Sequence, residues 1–284
     1  MDGDPRQASI SLPVFRALTD SAPSVWREAL EQAMLAQLDS IIMVQDAWSV
    51  LTENTPSINQ KRCFISSLWR GQVFSLHLPV LCKRIEQQIP LVDQSQQNLL
   101  EQGLQLLSQL AVPVKQKTPH HNFNEFASAY CGDQVWQLPR YSTDASGLFE
   151  SWGAGKLDIS PLIEAMMLTA MNELWSFGEK SFAEPLIFKE AVFNEKLTDD
   201  SSNAENQQLR LPHQWFEHSA ATNFQLAIEA LQLIAKALDW QPDEEALKKL
   251  CQGYIRRKAA IMASLMEMLL QPPEWLELQL AKRA

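Results

Sequence analysis

Residues 211–239 read LPHQWFEHSAATNFQLAIEALQLIAKALD, and from Phe224 onward almost every position is apolar. The polar exceptions Gln225, Glu229, Gln232, Lys236 and Asp239 are spaced 4, 3, 4 and 3. At roughly 100° per residue they fall on one narrow stripe, so the run is a helix buried over most of its circumference. Followed backward, the stripe takes in Thr222, His218 and Gln214 and carries the helix to Pro212, a residue suited to a first helical position. A helix about 40 Å long with so little polar surface needs neighbours on several sides. The expected fold class is therefore all-α, a multi-helix bundle with a central, mostly buried helix at about 211–239.

Composition agrees with helices. Only 9 of 284 residues are glycine, against about 7% in average usage, which disfavours turn-rich β-structure. Hydrophobic content of 46% suits a packed core, and no apolar run approaches the roughly 20 residues of a membrane span. The acidic start MDGDPRQASISLP has no apolar segment of the secretory kind. Cys63, Cys82, Cys131 and Cys251 form no close pair, which reads as ordinary thiols in a reducing compartment and makes the cytoplasm the expected location. Net charge is 24 − 34 = −10, against general affinity for nucleic acid or anionic lipid.

Working outward from the central helix, apolar periodicity places helices over Ser24–Leu51, from Ile58 to a kink or break at Pro79, and over Val80–Gln88. Asp93 with Gln96 has capping-box spacing and opens another helix that ends at Val112-Pro113. A short helix fits Asn122–Tyr130 before Gly132. The run from Gly132 to Asp158 mixes turn residues with Trp136, Tyr141, Phe149 and Trp152, an irregular segment expected to pack on the surface or line a cleft. Ser160-Pro161 starts the next helix, whose buried face is Ile163, Met166, Met167, Ala170, Met171, Leu174 and Phe177. A further helix is expected over about Phe182–Leu197. Pro242 followed by Asp243, Glu244 and Glu245 opens a last long helix, running to about Leu270 and forming a hairpin with the central one. The implied organisation is a loosely held 1–20, an N-terminal bundle 21–113, an irregular connection 114–159, a C-terminal bundle 160–271 and a tail 272–284, with the two bundles free to share one domain.

No catalytic motif survives inspection. GAGK at 153–156 resembles a phosphate loop, but Glu150 and Leu157 stand where that loop needs Gly and Ser/Thr. No Glu precedes a His by three residues, so the di-iron pattern of helical bundles is missing. His213 and His218 lie roughly 140° apart on a helix and cannot converge on one metal. Adjacent His120 and His121 could add a ligand only from elsewhere, and no cofactor or metal is expected.

Three features remain. The stripe His218, Thr222, Gln225, Glu229 and Gln232 is either a solvated face or the lining of a pocket for a small molecule, with His218 as a proton carrier near neutral pH. Residues 54–88 carry a local charge of +4, and through Pro79 a straight helix would align Arg70, His77 and Arg84 near Arg62, a line suited to an acidic partner. Beyond Pro272-Pro273 the tail offers Trp275 and Leu278 as anchors for a partner's groove. The leading expectation is a protein–protein interaction protein: an adaptor, assembly factor or regulatory subunit. A small-molecule-binding protein or enzyme with a site between helices comes second. Nucleic-acid binding through 61–84 comes last.

Overall fold

The computed structural model describes residues 9–53, 57–110, 119–187 and 221–271. Among them there is no strand, and eleven α-helices follow one another: α1 (Leu12–Thr19), α2 (Ser24–Glu53), α3 (Ile58–Gly71), α4 (Val73–Leu76), α5 (Leu78–Gln88), α6 (Gln94–Leu110), α7 (Pro119–Cys131), α8 (Asp144–Ile159), α9 (Leu162–Ile187), α10 (Ala221–Ala237) and α11 (Glu244–Leu270). The protein is an all-α multi-helix bundle. No described helix is long and apolar enough to cross a membrane.

α10 is the described part of the central stretch, and residues 211–220 lie outside the described residues. Phe224, Ala227, Ile228, Ala230, Leu231, Ile234, Ala235 and Ala237 are buried, and α10 packs along both α6 and α9. Phe15 of α1 stacks on Phe224 at 6.1 Å between ring centres. α6 approaches closely because Gly103 has no side chain, since a Cβ there would stand 2.6 Å from Ile234 Cγ1. Asp239, with φ of 47°, turns the chain out of α10. The Trp240 N–H then reaches back to the Ala235 carbonyl at 3.0 Å, the six-residue closure of a left-handed helix end. Trp240 lands on Trp26 of α2, 5.4 Å away.

α9 is enclosed even more completely. Residues 165–176 are buried without interruption, including Thr169, Asn172, Glu173 and Ser176. Its run continues to Ile187, so no new helix begins near Phe182, and the remainder of the helix expected at 182–197 lies outside the described residues.

Local signals explain most boundaries. Ser57 and Gln60 form a reciprocal capping box at α3, and Asp93 and Gln96 do so at α6. Asp93's carboxylate, accepting from the Gln96 N–H and the Ser95 hydroxyl, is held below its ordinary value. Gly132, with φ of 73°, ends α7. Asp243 caps α11 by accepting from Ala246 N–H at 3.0 Å.

Three expectations are corrected. The chain breaks twice between 58 and 88, and the first break, at Gln72, precedes Pro79, which sits in the first turn of α5. GAGK lies inside α8, not in a turn, and α8 replaces most of the irregular stretch after two short 3-10 turns at 135–137 and 139–141. α11 makes no hairpin with α10. It packs mainly on α2, then on α8 and α3. Helices of the two expected bundles therefore interleave, α2 with α9 and α11, and α6 with α10. The largest apolar cluster draws on residues from Ile10 to Ile261, and a second gathers Phe64, Phe123, Phe126, Trp136 and Leu265 between α3, α7 and α11.

Candidate functional site

The break between α3 and α4 organises the most unusual chemistry in the described structure. Ending α3 at Gly71 leaves its carbonyl oxygen without a helical donor. The Nζ of Lys258, on α11 and 0% exposed, donates to that oxygen at 2.7 Å. Lys258 also lies 3.4 Å from Glu179 Oε2 on α9, with Nζ over the rings of Phe149 (5.2 Å) and Trp175 (6.0 Å). Burial lowers the lysine's pKa, and Glu179 and then Glu173 pull it back up.

Glu179 has further partners. Trp175 Nε1 donates to its Oε1 at 2.8 Å, and Gln72 Nε2 to its Oε2 at 3.2 Å. Gln72 in turn accepts from the Ser176 hydroxyl at 2.6 Å. The Asn172 amide donates to Ser75 Oγ at 2.9 Å, and Ser75 donates to Glu173 Oε1 at 2.6 Å. Asn223 of α10 reaches Glu173 Oε2 at 3.3 Å, and Tyr254 donates to Asn172 Oδ1 at 3.4 Å. Burial raises the Tyr254 pKa well above its ordinary value. The result is a polar seam through an apolar bundle, joining α9, α10, α11 and the α3–α4 junction. Its parts are one cation, two carboxylates and a set of amides and hydroxyls that pass hydrogen bonds between them.

None of these residues stood out in the sequence as a site. The signal was present in α9, where Asn172, Ser176 and Glu179 recur at spacings of 4 and 3 inside an apolar run.

The residues singled out from sequence are placed as follows. On α10, Thr222 and Gln225 are exposed, and Glu229 and Gln232 are half-buried. Gln225 donates to Glu229 at 2.8 Å and Gln232 to Ser21 Oγ at 3.2 Å. His218 lies outside the described residues, as do Trp275 and Leu278. The arginines are engaged within the chain. Arg62 pairs with Asp133 and donates to Tyr141 OH at 3.2 Å. Arg70 pairs with Glu150 of α8. Arg84 donates to the Leu157 and Ser160 carbonyls, capping the C-terminal end of α8. His77 is exposed between α4 and α5, and the break there separates it from the line with Arg70 and Arg84. All four cysteines are free. Burial raises Cys63 and Cys131 to about 12, and Cys82 and Cys251 to about 11. Among the described residues no group of three or more His, Cys, Asp or Glu is placed to hold a metal ion.

The outward side of α8 is a second feature of interest. Phe149, Gly153 and Leu157 are buried against the body. On the opposite side Leu148 is 71% and Ile159 82% exposed, with half-buried Trp152 and Gly155 between them at spacings of 4, 3 and 4. Around Gly147 and Gly155 a Cβ would meet nothing within 4 Å. No protein-family model matches the chain, and no curated protein is detectably similar to it.

Proposed function

We propose that the protein acts by binding another protein chain, and that the outer face of α8 is its docking surface. The observation that carries this reading is the pair Leu148 and Ile159. Both are large, apolar and more than two-thirds exposed, on a helix held to the body by its opposite side. They stand about 16 Å apart at the two ends of one rigid helix face, and exposed apolar side chains on such a face are a common mark of an interaction site. Half-buried Trp152, between them, packs back against the core. Its ring is fixed by Phe74 at 6.0 Å and Phe149 at 5.7 Å, with the Arg257 guanidinium over it at 4.5 Å.

The test is a quantitative pull-down at native expression with the wild-type chain and the L148E/I159E variant. A stoichiometric protein partner, a second copy included, should be retained by the first and lost by the second. Both chains giving the same recovery would sink the reading.

A second reading, a small molecule held between helices, draws support from the seam around Lys258 and Glu179. It requires a ligand that raises the melting temperature of the wild type and not of K258M. A panel of small acids and amines is the place to begin.

A further inference from the structure

We draw no further inference here: the strongest candidate, the buried polar seam between α9, α11 and the α3–α4 junction, belongs to the site already described, and the donors that Lys258, Gln72 and Trp175 turn into it are taken up by the chain's own Glu179.

Discussion

The Nζ of Lys258 lies 2.7 Å from the carbonyl oxygen of Gly71, two residues 187 positions apart in the chain. The contact closes the end of α3 at the point where the helix breaks, and it holds α11 to α9 through Glu179. Removing one member of a buried charged pair leaves the other uncompensated. K258A is therefore expected to cost about 3–5 kcal/mol in urea unfolding. K258M/E179Q should recover part of that loss, because a neutral amide strands no charge, and its single oxygen keeps one of the two hydrogen bonds that Trp175 and Gln72 give to the separate carboxylate oxygens. Equal losses in the single and double variants would show that the pair is not coupled.

The same lysine gives a pH dependence with a definite sign. Its folded pKa is below the ordinary 10.5, so between that lowered value and 10.5 the unfolded chain binds more protons than the folded one. Stability contributed by this group therefore rises with pH across that window, and its penalty is fully present below the folded value. Glu179, Glu173 and the Gly71 carbonyl are polar groups set around it. The stability of wild type minus that of K258M should increase as pH is raised from neutrality toward 10. Denaturation curves of the two proteins measured in parallel would decide it, and a constant difference would contradict the burial argument.

Gly178 on α9 is required by a contact with α2. A Cβ there would stand 1.9 Å from Gln37 Nε2 and 2.5 Å from its Oε1, and that same amide donates to the Trp175 carbonyl. In an open helix Gly→Ala gains up to about 1 kcal/mol. Here G178A is expected to lose about 1–3 kcal/mol by overpacking. Combined with Q37A, which removes the obstructing amide, it should cost less than the sum of the two single changes. A stabilised G178A would mean that Gln37 can move aside freely.

How much of this was legible depends on which physical rule governs each place. Boundaries set by local chemistry were readable, as with Asp93 and Gln96 at α6 and Asp243 at α11. Burial of α10 followed from the spacing of Gln225, Glu229, Gln232 and Lys236. The helix break at Gln72 was hidden, because its one mark in the sequence is Gly71, and a lone glycine is also tolerated inside helices. What sustains it is Lys258, supplied by another helix far along the chain. The interior of α9 was underestimated for a related reason. Asn172, Glu173 and Ser176 look like a solvated edge until their partners at the α3–α4 junction and on α4, α10 and α11 are known. Periodicity reports that a stripe is polar, not whether water or another helix faces it.

The arginines show the same ambiguity and allow a direct test. Arg70 is mostly buried against Glu150, with side chains 14% and 30% exposed, so the pair belongs to the packing of α3 on α8. R70E places two carboxylates together in a partly dry contact, and it should lower stability by about 1–3 kcal/mol. E150R should act in the same direction. The exchanged pair R70E/E150R should recover a good part of the loss, which only a direct contact between the two positions explains. The measurement is the urea midpoint of all four proteins, read beside the recovery of any bound partner. If R70E instead kept full stability and lost a partner, Arg70 would face outward in solution. The basic line would then replace α8 as the docking surface.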